Sequence, residues 1–435
     1  MNLTSYPVQE IFGDATCPGD KSISQRILII GSLLNCDINV SGFLNAKDPL
    51  STMAALNQIG ASINKDGDLV KIKKRSRPFN SPKSSIDLGN SGTGLRLLTG
   101  LISGLNLKAT LIGDESLSQR PMSRVVNPLV KMGKKISTND GKTPIKIEGG
   151  SINDNFEYQM PVASAQVKSS LILASLSSGN SIHIKEPKIT RDHTERMIEY
   201  CGGKIDIQNS SEGKIITLNK SNLSEISSYE VVGDFSSAAF IIVAALISKK
   251  SKVLIKNVGL NSTRKGLLEV LLGMNANIKI VNQRKTCNET CGDLIVESSN
   301  LEGIEVSDSI IPNIIDEIPI LSVAASFAEG ETVIKNASEL KVKESDRLKA
   351  TSDGLEAMNI KHDILDNGLI IYGQNNDVPV SKEIDSFGDH RIAMSFLVAG
   401  MRSKEGIIVK NCKNIETSFP DFLNMMNALG MKIDG

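Results

Sequence analysis

Two sets of helical segments recur with a period of about seventy residues, and this repeat limits the possible folds more than any other feature. The first set is apolar. Its members begin at intervals of 70 to 82 residues, at Asp20, Asn90, Ser164, Asp234, Asp316 and Gly388. The second set is amphipathic, and each member ends on a residue that suits a left-handed cap, at Gly60, Gly133, Gly202, Asn275, Asn359 and Gly430. The shared phase predicts six copies of one module.

Short β-rich segments lie between the helices, among them LVKIKK, IHIKEP, KVLIKNV and GIIVKN. Each module is therefore predicted to run strand, helix, strand, helix and then further strands. The first helix carries almost no charge beyond its opening turns, which predicts burial on nearly every side, whereas the second should cover one face. An ordinary α/β protein also alternates strands and helices, but its two sets of helices need not recur with the same period. We therefore predict an α/β fold of six modules in two groups of three.

The charge balance narrows the class of function. The 435 residues contain 49 Lys and Arg against 49 Asp and Glu, and tryptophan is absent. Nucleic-acid carriers and membrane-surface proteins usually have a basic excess, and single-strand binders need aromatic stacking platforms. No apolar stretch reaches the ~18 residues that span a bilayer, and no secretory signal is recognisable. We therefore expect a cytoplasmic protein with no nucleic-acid and no membrane partner.

The six cysteines are scattered and do not resemble a disulfide framework. Only Cys287 and Cys291 are close, in the polar segment QRKTCNETCGD, and no second pair of possible ligands lies nearby. A metal site is the weaker interpretation, and a solvent-exposed loop is favoured. No metal site is predicted.

Cations and hydrogen-bonding side chains gather in the first turns of the apolar helices. A helix N-terminus attracts anions, so cations there oppose the helix dipole unless an anionic ligand compensates them. For a single helix, caps with solvated charges are the simpler explanation, but across several helices an anion-binding site is favoured. The residues concerned are Lys21, Ser22, Arg26, Asn90, Thr93, Arg96, Ser164, Gln166, Lys168, Asp316, His390 and Arg391.

Three further segments carry possible site residues. GDESLSQRPMSR contains Arg120 and Arg124, and EPKITRDHTER contains Arg191. In LKVKESDRL, Glu344 and Arg347 are three residues apart and would share one helical face. This segment is either an exposed turn with an ordinary ion pair or an acid/base carboxylate beside phosphate-binding cations. The residues alone leave both open.

Seven motifs, in order along essentially the whole chain, resemble those of the 5-enolpyruvylshikimate-3-phosphate synthases, which are enolpyruvyl transferases. They are PGDKSISQR, LGNSGTGLRLL, GDESLSQRPM, ASAQVKSS, DEIPILSVAASFAEG, LKVKESDRL and GDHRIAMSFLVAG. The resemblance implies a two-domain inside-out α/β barrel, with three βαβαββ units of buried helices in each domain. Residues 1–18 and 232–435 would form the domain mainly on the phosphoenolpyruvate side. Residues 19–231 would form the domain mainly on the shikimate-3-phosphate side, with the active site in the cleft between them.

The implied reaction transfers the enolpyruvyl group of phosphoenolpyruvate to the 5-hydroxyl of shikimate-3-phosphate by addition and elimination through a tetrahedral intermediate. It releases phosphate and belongs to the shikimate pathway, which leads to chorismate and the aromatic amino acids. The family is the target of glyphosate. The resemblance implies no metal or organic cofactor, and since the family is usually monomeric, it implies a monomer.

The resemblance also implies roles for individual residues. The catalytic residues would be Lys21, Asp316 and Glu344. Phosphoenolpyruvate would be bound by Lys21, Gly92, Arg120, Gln166, Arg347 and Arg391. Shikimate-3-phosphate would be bound by Lys21, Ser22, Arg26, Ser164, Ala165, Gln166, Arg191, Asp316 and Lys343. His390 is expected to be structural or a neighbour of Arg391.

Two positions depart from the family pattern. Thr417 stands where many members have a lysine, which puts one phosphoenolpyruvate contact in doubt. The segments ASAQVKSS and TRDHTERM more closely resemble the branch of the family typified by bacterial glyphosate-tolerant enzymes. Tolerant members of that branch commonly carry alanine at the position of Gly92. We therefore hypothesise that this protein binds glyphosate more readily than those relatives do.

Two other functions compete with this assignment. The sister enolpyruvyl transferase that acts on UDP-N-acetylglucosamine shares the fold, but its members usually place a reactive cysteine in a mobile loop, and GDESLSQRPM has none. A catalytically silent anion-binding repeat protein would bind substrates without turnover. It is disfavoured because Lys21, Asp316 and Glu344 are all present.

Overall fold

A computed structural model describes residues 1–210, 213–378 and 383–435. The chain divides into two compact units. The first unit comprises Met1–Pro18, Val232–Lys285 and Thr290–Gly435, and the second comprises Gly19–Val231 and Thr286–Glu289. The assignment of Thr286–Glu289 differs from the prediction that all of residues 232–435 group together.

The α-helices, in chain order, are α1 (Lys21–Leu33), α2 (Lys47–Gln58), α3 (Gly92–Gly104), α4 (Glu115–Gln119), α5 (Ser123–Lys131), α6 (Ala165–Ser178), α7 (His193–Tyr200), α8 (Phe235–Ile247), α9 (Gly266–Gly273), α10 (Ile311–Ile314), α11 (Ile318–Ser326), α12 (Arg347–Ala357), α13 (His390–Gly400) and α14 (Phe422–Ala428). Two 3₁₀ helices span Ser338–Val342 and Cys412–Thr417.

The strands, in chain order, are β1 (Leu3–Tyr6), β2 (Glu10–Thr16), β3 (Ile38–Ser41), β4 (Ser62–Asp66), β5 (Leu69–Lys73), β6 (Ile86–Asp87), β7 (Ala109–Ile112), β8 (Lys135–Asn139), β9 (Lys142–Gly149), β10 (Phe156–Gln159), β11 (Ile182–Glu186), β12 (Ile205–Ser210), β13 (Gly213–Leu218), β14 (Ser228–Glu230), β15 (Lys250–Gly259), β16 (Asn277–Thr286), β17 (Glu289–Glu297), β18 (Glu329–Ile334), β19 (His362–Leu365), β20 (Gly368–Gln374), β21 (Ile384–Asp385), β22 (Ile407–Lys410) and β23 (Lys432–Asp434).

The sheets of the second unit share one strand order. They are β6-β7-β9-β8, β10-β11-β13-β12 and β14-β3-β5-β4. In each, the first two strands are parallel, and the third strand in the order pairs antiparallel with both of its neighbours. In the first two of these sheets the parallel strands are joined through a buried helix, α3 or α6, as a βαβ unit. In the last sheet the first strand, β14, comes from the end of the unit.

The sheets of the first unit are variations on the same order. They are β16-β17-β15-β2, β21-β22-β1-β23 and the shorter β18-β20-β19. The N-terminal strands β1 and β2 each complete a sheet whose other strands lie more than two hundred residues away. A parallel bridge between Glu305 and Val333 extends the shorter sheet beyond β18.

The apolar helices α1, α3, α6, α8, α11 and α13 lie in the interior of their units, as predicted from their lack of charge. Every residue of α8 is buried, because its sequence FSSAAFIIVAALI has no charged face to expose. The amphipathic helices end as the sequence predicts. The predicted cap residues Gly60, Gly133, Gly202, Asn275, Asn359 and Gly430 all have positive φ, between 57° and 108°.

The predicted loop around Cys287 and Cys291 is wrong. Strands β16 and β17 form a hairpin there, joined by Cys287 and Asn288 with φ of 48° and 63°. Positive φ at both central residues is the geometry of a two-residue type I′ turn, which matches the twist of the strands. Cys291 is therefore a buried strand residue, and no disulfide joins any of the cysteines, all of which lie in the described ranges.

Within the described residues, no helix combines the length and the apolar character needed to cross a bilayer.

Candidate active site

Lys21 is the first residue of α1 in the second unit. The preceding Asp20 caps the helix by accepting a hydrogen bond from the Ile23 N–H at 2.8 Å. The ammonium of Lys21 lies 3.0 Å from Oδ2 of Asp48, which is in the first turn of α2. No sequence pattern marks Asp48 as a site residue. Its carboxylate holds the lysine in place and offsets part of its charge.

Arg26 lies one turn further along α1 and is buried. Its guanidinium donates hydrogen bonds to Thr194 Oγ1 at 2.8 Å, to the Ser22 carbonyl at 3.0 Å and to Ser169 Oγ at 3.1 Å. Burial lowers the pKa of Arg26 to about 10, although the nearby carboxylates of Glu195 and Asp20 act in the opposite direction. The hydrogen bonds of Arg26 go to neutral oxygens, so these carboxylates act on its charge without a hydrogen bond to it.

The openings of α3 and α6 meet through hydrogen bonds between side chains. Arg96 Nη1 donates to Gln166 Oε1 at 2.6 Å, and Gln166 Nε2 donates to Thr93 Oγ1 at 2.8 Å. Ser164 caps α6 by accepting from the Val167 N–H at 3.4 Å, which leaves Gln166 in the first turn. The predicted residue Gln166 is thus oriented by two residues from the opening of α3.

Arg120 follows α4 and is 6% exposed. Its Nη2 donates to Asn90 Oδ1 at 2.7 Å, and Asn90 in turn donates to the Asp114 carboxylate. A Cβ at Gly92 would lie only 3.0 Å from Arg120 Nη1 and 3.1 Å from Arg96 Nη1. Two guanidinium groups therefore approach the backbone of Gly92 more closely than a side chain there would comfortably allow.

The structure removes Lys168 from the set of possible anion-binding cations. Its ammonium is buried between Glu186 Oε2 at 2.9 Å and Glu195 Oε1 at 2.7 Å. Burial opposes its charge, but the two carboxylates more than offset this and raise the pKa of Lys168. Lys168 lies on the buried face of α6, so its role is to neutralise two buried carboxylates.

In the first unit, Asp316 precedes α11 and contacts two predicted binding cations. Its Oδ1 accepts from Arg347 Nη1 at 3.0 Å and lies 3.2 Å from Lys343 Nζ. Asp316 and Lys343 are partly exposed, whereas the side chain of Arg347 is 1% exposed. The carboxylate of Asp316 is therefore partly exposed and is held in place by the buried guanidinium of Arg347.

Arg347 is the centre of this cluster. Its Nη2 lies 2.5 Å from Glu344 Oε2, and its Nε donates to Asp389 Oδ2 at 2.8 Å. Burial disfavours the charge of Arg347, but Asp389, Glu344 and Asp316 outweigh burial and raise its pKa. Glu344 lies in a bend before α12 and not on the helix, so the helical spacing proposed for this pair is wrong although the ion pair forms.

Arg391 and His390 open α13 and are both buried. Arg391 Nη1 donates to the carbonyl of Asp316 at 3.2 Å. Thr417 is also buried, and its hydroxyl donates to the Asn414 carbonyl at 2.7 Å. The hydroxyl of Thr417 thus bonds to backbone, at the position where the family resemblance leads us to expect a lysine.

Each unit therefore assembles one set of the predicted residues. The second unit contains Lys21, Ser22, Arg26, Gly92, Arg120, Ser164, Ala165, Gln166 and Arg191. The first unit contains Asp316, Lys343, Glu344, Arg347 and Arg391. The supporting residues Asp48, Thr194 and Asp389 are not among the predicted site residues. Of these, only Asp389 had a signal, because it precedes a buried helix in the motif GDHR and is its N-cap.

Comparison with known proteins identifies the family. Residues 6–426 match the family model for EPSP synthase (3-phosphoshikimate 1-carboxyvinyltransferase). A 3-phosphoshikimate 1-carboxyvinyltransferase of Ruthia magnifica subsp. Calyptogena magnifica is 42% identical over 429 residues, which is 98% of each chain. The chain belongs to the EPSP synthase family. An EPSP synthase family relative from Petrotoga mobilis (strain DSM 10674 / SJ95) is 43% identical over 435 residues, which is 99% of each chain.

Solved structures agree with membership of the EPSP synthase family. The EPSP synthase of Acinetobacter baumannii superposes with a TM-score of 0.87 at 37% identity, covering 100% of both chains. The enolpyruvyl transferase NikO of Streptomyces tendae shares the fold with a TM-score of 0.78 at 14% identity, covering 100% of this chain and 98% of that one. The predicted two-domain inside-out α/β fold is confirmed, and the protein is a transferase.

Proposed function

We propose that the residue sets of the two units act on the same pair of substrates, phosphoenolpyruvate and shikimate-3-phosphate, in the reaction for which the EPSP synthase family is named. The enolpyruvyl group passes to the 5-hydroxyl of shikimate-3-phosphate, and phosphate is released. The observation that supports this most directly is the buried Arg347, which contacts both Asp316 and Glu344. Two carboxylates held by one cation can serve the two positions at which protons move, the 5-hydroxyl oxygen and the C3 carbon.

The proton transfers belong to two successive steps. In the first, the C3 methylene of phosphoenolpyruvate gains a proton while the oxygen of the 5-hydroxyl attacks C2 and loses its proton. In the second, the tetrahedral intermediate loses phosphate from C2 and a proton from C3, which restores the double bond. We assign the hydroxyl proton to Asp316 and the methylene proton to Glu344. Lys21 is assigned to bind phosphoenolpyruvate and to assist proton transfer.

The phosphate and carboxylate groups of both substrates require cations and N–H donors. For phosphoenolpyruvate we assign Lys21, Gly92, Arg120, Gln166, Arg347 and Arg391. For shikimate-3-phosphate we assign Lys21, Ser22, Arg26, Ser164, Ala165, Gln166, Arg191, Asp316 and Lys343. By these assignments, residues 19–231 supply seven of the nine shikimate-3-phosphate contacts and four of the six phosphoenolpyruvate contacts, and residues 232–435 supply two contacts to each substrate.

Internal carboxylates offset several of these cations in the structure. Lys21 is paired with Asp48, Lys343 with Asp316, and Arg347 with Asp389. Such pairs hold the cations in place before substrate arrives, so that little reorganisation is needed on binding. Binding of two anionic substrates would then weaken the contacts of Lys21 and Lys343 with their carboxylates.

The acceptor specificity is tested by incubating the protein with phosphoenolpyruvate and either shikimate-3-phosphate or UDP-N-acetylglucosamine, with phosphate release as the readout. We expect release only with shikimate-3-phosphate, whereas release with the nucleotide sugar alone would assign the protein to the sister activity. Binding of both substrates without phosphate release would show a silent binding protein. We further propose that the protein acts as a monomer in the cytoplasm, which gel filtration with light scattering and cell fractionation would test.

A further inference from the structure

Glu317 is a buried carboxylate beside the assigned catalytic residue Asp316. Its side chain is 1% exposed. Glu317 occupies the N-cap position of α11, but its side chain makes no capping hydrogen bond to that helix. Its Oε1 instead accepts a hydrogen bond from the hydroxyl of Ser236. The same oxygen lies 3.6 Å from Arg391 Nη1 and 3.8 Å from Arg264 Nη1.

The partners of Glu317 come from separate parts of the first unit. Ser236 is in the first turn of α8, and Arg391 is in the first turn of α13. Arg264 precedes α9 and donates to Ser236 Oγ at 2.7 Å and to Asp234 Oδ1 at 3.1 Å. One carboxylate oxygen therefore links the openings of three buried helices, counting α11 itself.

Arg391 is held on two sides by consecutive residues. Its Nη1 donates to the carbonyl of Asp316 at 3.2 Å and lies beside the carboxylate of Glu317. The position of the guanidinium thus depends on the charge of Glu317 as well as on the backbone of Asp316. Arg264 also faces Glu317, so the negative charge of Glu317 acts on both guanidinium groups and not on Arg391 alone.

The incomplete hydrogen bonding of the Glu317 carboxylate argues against a role in stability alone. Within the described residues, Oε2 is buried and accepts no hydrogen bond. A buried acceptor without a partner is destabilising, and buried ion pairs are commonly no more stable than apolar residues of the same volume. The hydrogen bond from Ser236 and the two ion-pair contacts of Glu317 all involve Oε1, the oxygen that faces Arg391.

We propose that Glu317 is a positioning residue that orients the guanidinium of Arg391 toward bound phosphoenolpyruvate, with Arg264 as its second counter-cation. This inference rests on the roles assigned above to Arg391 and Asp316. Glu317 itself makes no contact with substrate. Its removal should therefore affect the binding of phosphoenolpyruvate more than that of shikimate-3-phosphate.

The test is the Glu317→Gln variant, which keeps the size of the side chain and the acceptor for Ser236 but removes the charge. We expect the KM for phosphoenolpyruvate to rise about tenfold and the KM for shikimate-3-phosphate to change less than about twofold, since a small displacement of a binding group is enough to weaken binding. The matched control is Glu186→Gln, which neutralises an equally buried carboxylate paired with Lys168 in the second unit. The control should leave the KM for phosphoenolpyruvate unchanged.

A double-variant cycle separates positioning from a structural role. Because Glu317 acts through Arg391, adding Glu317→Gln to Arg391→Gln should raise the KM for phosphoenolpyruvate little further. A Glu317→Gln variant with the wild-type KM and only a lower free energy of unfolding would overturn the proposal. If Arg391→Gln itself leaves this KM unchanged, the role assigned to Arg391 and the inference built on it both fail.

A second variant keeps the proposal testable if Glu317→Gln does not fold. Ser236→Ala removes the hydroxyl that fixes Oε1 of Glu317 and makes a smaller change to the buried cluster. We expect it to raise the KM for phosphoenolpyruvate about threefold, an effect of the size expected for loss of one hydrogen bond. A wild-type KM for phosphoenolpyruvate in the folded Ser236→Ala variant would also overturn the proposal.

Discussion

Asp389 binds Arg347 through both of its carboxylate oxygens, with Oδ2 2.8 Å from Nε and Oδ1 3.4 Å from Nη2. Asp389 is also the N-cap residue of α13, where it accepts from the Arg391 N–H at 2.9 Å. One carboxylate therefore fixes a buried arginine and the helix opening that carries a second arginine. The motifs KESDR and GDHR, which are distant in the sequence, thus form a single structural element of the first unit.

Replacing Glu344 with glutamine should slow turnover by ~100-fold or more while changing both KM values little, because the amide cannot exchange a proton with the methylene carbon. The amide oxygen can still accept a hydrogen bond from Arg347, so the local structure should persist. Steady-state phosphate release measures the effect. Glu356→Gln, at an exposed position of α12, is the matched control and should retain full activity. Wild-type rates in Glu344→Gln would refute the assigned role.

Replacing Gly92 with alanine should weaken inhibition by glyphosate. The added methyl group would lie 3.0 Å from Arg120 Nη1 and 3.1 Å from Arg96 Nη1, so the guanidinium groups must move by a few tenths of an ångström. We expect the inhibition constant to rise at least about tenfold, the usual cost of one misplaced methyl group in a tight site. The measurement is inhibition by glyphosate competing with phosphoenolpyruvate, with the KM for phosphoenolpyruvate recorded in both proteins. Equal inhibition constants would contradict the hypothesis.

Replacing Lys168 with methionine should destabilise the second unit by about 3–5 kcal/mol, because Glu186 and Glu195 would remain buried without their cation. Urea denaturation measures the free energy of unfolding. The exposed pair of Lys73 with Asp37 provides the control, since Lys73→Met should change stability little. An equally small effect for Lys168→Met would show that the buried triad is not needed for stability.

Cys201 should make the protein less stable in alkaline solution. Burial, and to a smaller extent the thiols of Cys36 and Cys287, raises the pKa of Cys201 to about 12. In the unfolded chain a thiol ionises near pH ~8.5, so above that pH the unfolded state binds fewer protons and the free energy of unfolding falls as pH rises.

The Cys201→Ala variant lacks this contribution. Any stability advantage of the wild-type protein over the variant should therefore narrow as the pH is raised from 8 to 10.5. Urea denaturation at several pH values measures the difference between the two proteins. A difference that stays constant across this range would contradict the prediction.

Features determined by neighbouring residues could be predicted from the sequence. The helix caps at Gly60 and Asn359 were recognisable because an amphipathic run ends there on a residue that tolerates positive φ. The buried helices were recognisable because their sequences offer no polar face. Such features depend only on the chain within about two helical turns.

The partners of the charged side chains could not be predicted. The sequence pattern places Lys168 among the possible binding cations, yet in the structure it faces Glu186 and Glu195, which lie on β11 and α7. Asp48 carries no signal of its own that connects it with Lys21 across two helices. A sequence pattern places a charge on an element, but the packing of other elements decides whether that charge meets solvent, substrate or a counter-ion.

Closure of the sheets by distant strands has a consequence for synthesis on the ribosome. The sheet of β3, β4 and β5 lacks its parallel strand until β14 has been made, almost two hundred residues later. In the first unit, β1 is among the first segments to emerge, but its partners β22 and β23 are among the last. We expect the second unit to be able to fold while the chain is still growing, whereas the N-terminal strands must wait unpaired until translation is nearly complete.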